Sequence, residues 1–320
     1  MTRGIFRAII KEYRRTLPDS KRRSSYRVKF RWRYPHKSES RLREMIQKTF
    51  RWYTNKIRVI IMQWAHTYPV HTVRRDSFES EVNRLAEELK ATRLKQNVSV
   101  SLNLTPIVEA IMAEIMRHSE EELSDYLIKR FGKPLLYSKE GWETTRRLWV
   151  AEIDSRIGGS TDAFLQKVQD VVLDHYVKRK PFEELMARIQ TVSDSFTKGQ
   201  SQFLARDLTG KLNSLVEKQL QTGIGINYYM WQTAADERVR GRPGGVYPNA
   251  VPSHWDMEHL ICSWLDSTIV SYDYGKTWEK RTARMPFSHP GMDWQCRCTA
   301  IPFDIDLLRE IDKELNAGRG

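Results

Sequence analysis

Apolar positions recur with a helical period along most of this chain, and the pattern changes abruptly near residue 223. From residue 40, Leu42, Ile46, Phe50, Tyr53, Ile57, Ile60, Ile61 and Trp64 keep a spacing near 3.6 and predict a long helix stopped at Pro69. Phe78, Val82, Leu85 and Leu89 predict a second helix with an acid-rich polar face. Ile107, Ile111 and Ile115 predict a third, entered by Thr105-Pro106 with proline in the first turn. Ser119-Glu120-Glu121-Glu122 has the form of a capping box and predicts the start of a fourth through Leu123, Leu127 and Phe131. Gly132 and Pro134 close it. After Gly158-Gly159 a second helical block is expected. It has one helix through Phe164, Val168, Val171 and Val172, a short one from Pro181, and a long one over 193–221.

Beyond Gly223-Ile224-Gly225 the texture is that of short strands. Residues 228–233 are aromatic-rich and follow glycine, 269–272 and 297–303 are further candidates, and Pro302 should stop the last. A closing helix is expected over 304–315. Short strands among helices, without alternation of strand and helix, predict an α+β protein. Its first two-thirds are mostly α-helical and its end is a small mixed unit. The expected organisation is a basic arm over 1–40, a helical domain over 41–157 and a third domain over 158–320.

The 320 residues carry 53 Lys+Arg and 40 Asp+Glu, a net charge of +13. Residues 1–37 hold thirteen of the basic residues and two acids, so the arm carries +11 and the remainder only +2. That balance makes no second basic face evident in the body. Within the arm Arg14, Arg15, Lys21, Arg22, Arg23, Arg27, Lys29, Arg31 and Arg33 alternate with Tyr26, Phe30 and Trp32. Such a segment suits a polyanion, because each phosphate it neutralises releases counterions. Ile5, Ile9 and Tyr13 also permit a short amphipathic helix. No apolar run approaches the ~20 residues of a membrane helix, and charges interrupt the first residues, so neither a membrane span nor a secretory signal is expected.

Three cysteines cannot make a disulfide framework, and a reducing cytoplasm is the expected setting. All three, with three of the eight histidines, fall between residues 254 and 298. His259-x2-Cys262 and Cys296-x-Cys298 are the spacings of interest. Thiolate and imidazole donors suit a tetrahedral zinc ion, so His259, Cys262, Cys296 and Cys298 are the expected ligands of one structural zinc. His254 lies nearby, and His289 is a possible substitute.

Three segments in the last half carry a resemblance. Trp231-Gln232-Thr233-Ala234-Ala235-Asp236-Glu237-Arg238-Val239-Arg240 is the first, Ile261-Cys262-Ser263-Trp264-Leu265-Asp266-Ser267 the second, and His289-Pro290-Gly291-Met292-Asp293-Trp294-Gln295-Cys296-Arg297-Cys298-Thr299 the third. In order and separation they resemble the phage Mu F-like head morphogenesis family, the minor head proteins of tailed phages. The motif positions matched are Trp231, Thr233, Asp236, Arg238, Arg240, His289, Pro290 and Arg297. The chain departs from the family at Asp207-Leu208, at Ser267, and by an insertion over 241–258. His259-x2-Cys262 stands where many members have C-x2-C.

The resemblance implies a virion component needed for head assembly, located in the head interior or at the portal vertex after assembly in the host cytoplasm. It implies portal protein, major capsid or scaffold protein, and genomic double-stranded DNA as partners. The rival expectation is a metal-dependent nuclease or other DNA-processing enzyme, with Glu258 as its base. The sequence has no compact catalytic signature such as H-E-x-x-H, so no catalytic residue and no enzyme is expected.

Overall fold

A computed structural model describes residues 32–69, 78–131 and 142–304. The chain forms two compact units. One comprises Lys37–Ile111 and Arg146–Arg206; the other comprises Met1–His36, Met112–Thr145 and Asp207–Gly320. Four long helices are described: α1 (His36–Thr67), α2 (Phe78–Phe131), α3 (Trp142–Val177) and α4 (Phe182–Gly223). Five strands follow: β1 (Tyr228–Gln232), β2 (Ile261–Ser263), β3 (Ile269–Ser271), β4 (Glu279–Lys280) and β5 (Thr299–Phe303). The α+β class read from the sequence is the observed one. The arm residues Arg14, Arg15, Lys21, Arg22, Arg23, Arg27, Lys29 and Arg31, and the closing helix expected over 304–315, lie outside the described residues, Asp304 excepted.

The helices are longer and fewer than the sequence signals suggest. α2 runs 54 residues with Pro106 inside it, so the expected breaks before Pro106 and at Ser119 are not there. Proline removes one backbone donor and costs ~3 kcal/mol in a helix interior. Val108, Ile111, Met112 and Ile115, all buried just beyond it, favour continuation. The supposed capping box serves tertiary contacts instead. Ser119 donates to Asn213 at 3.2 Å, and Glu122, 1 % exposed, takes the Arg33 side chain and its backbone N–H. α3 passes unbroken through Gly158 and Gly159, so the boundary expected at 157/158 falls inside a helix. α4 likewise joins the two helices expected after Pro181.

In the first unit, α1 buries Leu42, Ile46, Phe50, Tyr53, Ile57, Ile61 and Trp64. Their spacing puts them on one face. Phe50 meets Phe196 at 4.6 Å between ring centroids, and Phe196 stacks on Phe164 at 4.7 Å. Trp64 packs on Tyr176 at 5.2 Å.

The second unit is built on an antiparallel sheet of order β4-β3-β2-β1-β5. β1 alternates: Tyr229 and Trp231 face a core with Met257, Trp264, Val270 and Ala300, while Tyr228 and Met230 pack with Ile261, Phe303 and Trp278. Pro302 does not stop β5; it sits within the strand, opposite Tyr229. Ala300, two residues earlier, sends its N–H to Glu217 (3.0 Å) and receives Gln221 on its C=O (2.8 Å). Residues two apart present main-chain groups to the same side of a strand, so the missing N–H of Pro302 falls on the edge away from β1.

The α4 segment facing this sheet is polar and fully buried: Asp207, Asn213, Glu217 and Gln221 are each at most 1 % exposed. Each has partners. Asn213 donates to Glu217 at 2.7 Å, and Gln221 accepts from the Trp264 indole at 2.8 Å. Buried polar groups are tolerable only when paired in this way. Gln221→Leu would strand the Ala300 carbonyl and the Trp264 N–H. A loss of about 2–4 kcal/mol in urea unfolding is expected, and an unchanged midpoint would contradict this account.

Candidate metal centre

The CxC segment leads directly into β5, and α4 fixes its position from the other side. A Cβ on Gly210 would come within 2.4 Å of the Cys296 carbonyl oxygen, and one on Gly291 (φ +83°) within 2.5 Å of the Gly210 carbonyl oxygen. Only glycine permits this approach of helix and loop. Asp207 on the same helix accepts the Gln295 N–H at 3.1 Å. Cys296 and Cys298 are thereby held, each 5 % exposed, beside His254.

His254, Cys296 and Cys298 offer one donor atom each within 4.8 Å of one another. His254 Nδ1 lies 3.3 Å from Cys296 Sγ and 3.5 Å from Cys298 Sγ. The backbone N–H groups of Gly291 (3.3 Å) and Cys298 (3.4 Å) donate to Cys296 Sγ. The other ring nitrogen of His254, Nε2, meets Asp293 Oδ2 at 3.1 Å. A carboxylate on the far nitrogen is the usual support of a metal-bound imidazole, because it fixes tautomer and orientation. This buried group can hold a metal ion.

Arg240 orients His254 twice. Its carbonyl accepts the backbone N–H groups of His254 and Trp255, both at 3.0 Å. Its guanidinium meets Asp293 Oδ2 at 2.8 Å, and so holds the carboxylate that holds the ring. Trp231 stands edge-on to His254, with centroids 5.7 Å apart. Its buried indole N–H makes no regular hydrogen bond among the described residues, yet lies close enough to favour the Cys298 thiolate.

The protonation states follow from these neighbours. Burial alone would raise the Cys296 thiol, but hydrogen bonds from Cys298 and His254 outweigh it and pull it well below the usual range. Burial alone would lower His254, but the Cys296 thiolate and Asp293 raise it to about 9. Cys298, donating to Cys296 and buried, is pushed well above the usual thiol range. Burial opposes ionisation of Asp293 too, yet His254 and Arg240 hold it down to about 2. Among the protein groups themselves these directions favour a Cys296 thiolate paired with a His254 imidazolium, beside the Cys298 thiol. The order Cys296–His254–Asp293 is also that of a nucleophile, its base and an orienting carboxylate, but the sulfur is sealed from solvent.

Two of the four expected ligands are not here. His259 is exposed, at 74 % for its side chain, has a left-handed backbone (φ 65°) and lies 3.5 Å from Glu258. Cys262 is buried on β2 opposite Tyr229, and burial pushes its thiol up to about 11. The x2 spacing suits two ligands on one tight turn, but this segment enters a strand. Positions three apart in extended backbone lie on opposite faces. His254 takes the place given to His259. The Asp-Trp-Gln-Cys-Arg-Cys run was legible, but no local spacing links His254 to it across 42 positions. His289, the substitute, instead meets Tyr229 OH through Nδ1 at 3.0 Å, and burial and the nearby Lys218 and Arg281 cations push it down to about 4.

The other motif residues tie their segments together. Thr233 donates its backbone N–H to Glu258 at 2.6 Å, and Asp236 forms an ion pair with Arg297, joining the first segment to the third. Arg238 is exposed, and Pro290 is buried. Arg33, expected to contact nucleic acid, is the ion-pair partner of Glu122. Beside it Trp32, 2 % exposed, exchanges two main-chain hydrogen bonds with the Gln232 amide, at 3.0 and 2.7 Å.

No family model matches the chain, and no solved structure matches it. An uncharacterized protein of Haemophilus influenzae is 29% identical over 150 residues, which are 47% of this chain and 27% of that protein. The chain thus spans about a quarter of the length of this relative. Among the described residues no helix is long and apolar enough to cross a membrane.

Titration with Co²⁺, followed by its thiolate absorption, tests the centre. His254→Ala should abolish the signal, Asp293→Asn should weaken affinity about 10–100-fold, and His259→Ala should change nothing. Loss of the signal in His259→Ala would return the ligand set to the one read from spacing.

Proposed function

We propose that this chain is a minor head protein of a tailed phage, acting in head morphogenesis at or near the portal vertex. Portal protein, major capsid or scaffold protein and genomic double-stranded DNA are its partners, the last through the basic arm. The His254–Cys296–Cys298 group holds one structural zinc ion, whose role is to staple the loops between β1 and β5.

The observation that supports this reading is the convergence of the motif segments. Trp231, Asp236 and Arg240 belong to the first segment and Asp293 and Arg297 to the third, more than fifty positions on; Trp231, Arg240 and Asp293 surround His254, and Asp236 pairs with Arg297. Trp231, Thr233, Asp236, Arg240 and Arg297, among the residues that carry the family resemblance, thus tie the first and third segments to the loops around His254. They pack, pair and orient, which is what an assembly component needs of its docking unit.

The donor count favours a second reading. Three protein ligands leave one position open, as catalytic zinc sites do, and a metal-dependent nuclease would use it to activate water. Its nominated base, Glu258, is already engaged by the Thr233 N–H and lies beside His259.

Mass spectrometry of gradient-purified, DNA-filled particles decides between them. A few to a few tens of copies per particle, counted against the major capsid protein, is the expected result. Absence from particles together with cleavage of plasmid DNA by the zinc-loaded chain, lost in Glu258→Gln, would establish the nuclease instead. Zinc uptake itself has a proton signature. At pH 7 the ion must displace the protons of His254 and Cys298 but not of Cys296, so about two protons should leave per ion. Calorimetry in buffers of different ionisation enthalpy measures this, and a count near zero would contradict the protonation states above.

A further inference from the structure

The near-neutral total of residues 38–320 conceals a charged face on α1. Between Ser38 and Thr67 the helix carries six Lys/Arg and two acids, and Lys37, already counted with the arm, precedes them. One acid is turned inward: Glu39 lies 3.5 Å from Arg206, both side chains being 14 % exposed. Arg58 is occupied by Gln190. Lys37, Arg41, Lys48, Arg51 and Lys56 are all exposed. At 100° per residue they fall on the side of the helix opposite Phe50, Ile57 and Trp64, with Glu44 the one acid among them. Lys37, Lys48, Arg51 and Lys56 have no carboxylate partner among the described residues. Trp52, 41 % exposed, stands within this row.

We infer that this face of α1 is a second contact for the sugar–phosphate backbone of duplex DNA. The inference rests on the DNA-associated reading above and names a surface that reading does not include. From Lys37 to Lys56 the helix advances about 29 Å at ~1.5 Å per residue. Over that length one strand of a duplex presents roughly eight phosphates at ~3.4 Å each. The strand winds through most of a turn over that length, so a straight, core-packed helix reaches only the few phosphates on the face of the duplex turned toward it, and about three or four cations suffice to meet them. The row also begins where the +11 arm ends in the chain, so residues 3–58 form one predominantly basic stretch of sequence in which Glu12, Asp19, Glu39 and Glu44 are the acids. The row reads no base edges, so binding is indifferent to sequence.

The test measures binding of the full-length chain to a mixed-sequence 30-base-pair duplex as a function of salt. It compares wild type, Lys48→Ala/Arg51→Ala/Lys56→Ala, and an arm variant with Arg14, Arg15, Lys21, Arg22 and Arg23 changed to Gln. The substituted α1 side chains are exposed, and an unchanged thermal melt checks that the fold survives. The α1 variant should flatten the log–log slope by about 2–3, at ~0.9 per phosphate contact. The flattening should be similar on duplexes of unrelated sequence. A wild-type slope in the α1 variant, with the arm variant flattened, would overturn the inference and leave the arm's role standing. Failure of the wild-type chain to bind the duplex would overturn both. Loss in the α1 variant of binding to vesicles of anionic lipid, with the duplex slope unchanged, would also overturn it, assigning the face to a membrane surface.

Discussion

Burying Glu217 and Gln221 on α4 carries a desolvation cost that only specific partners offset, and those partners are the main chain of β5 and the Trp264 indole. Burial pushes the Glu217 carboxyl well above its usual range, with Asn213 and the Ala300 N–H as its compensating donors. An apolar helix face could slide along the sheet by a fraction of a turn at little cost. This face cannot, because each polar atom has one place where it is satisfied. β5 is therefore pinned in register. The CxC segment, one residue upstream of β5, is pinned with it, and the Gly210–Gly291 contact holds the preceding loop.

The centre that results balances its charges among the protein's own side chains. A buried thiolate would be costly alone, and the imidazolium of His254 and the donors on Cys296 Sγ make it tolerable. Asp293 and Arg240 extend the alternation of charge outward toward solvent. A divalent cation held there would take the place of the protons of His254 and Cys298. Motif residues as different as Trp231, Asp236 and Arg240 contribute by different means: a ring contact to His254, an ion pair with Arg297, and a backbone carbonyl that accepts the His254 N–H.

Charge is distributed on the same principle of local use. The total for residues 38–320 is small because 40 basic and 38 acidic residues nearly cancel, but some acids, such as Glu39 paired with Arg206, are turned inward and leave surface cations unopposed. What remains at the surface of α1 is basic. A sum over the chain could not reveal this, since it counts paired and exposed charges alike.

The helical stripes, the aromatic strand at residue 228 and the Cys/His-rich last third were legible because they depend on neighbours within a few residues. A 3.6 or 2-residue period states which face is apolar, whatever lies opposite. The ends of helices were less legible. Pro106, Ser119 and Gly158-Gly159 are genuine local stop signals, but each amounts to a few kcal/mol at most, and burial of the flanking apolar residues exceeds it. The ligand set was half legible. Cys296 and Cys298 announce themselves by proximity, whereas His254 joins them through the Arg240 carbonyl and the Asp293 carboxylate, contacts that span 14 and 39 positions. Sequence by itself determined the elements, their apolar faces and the chemistry available to the last third. Only the tertiary structure decided which histidine meets the thiols and which basic residues stay exposed, because both depend on long-range hydrogen bonds and ion pairs that no local period encodes.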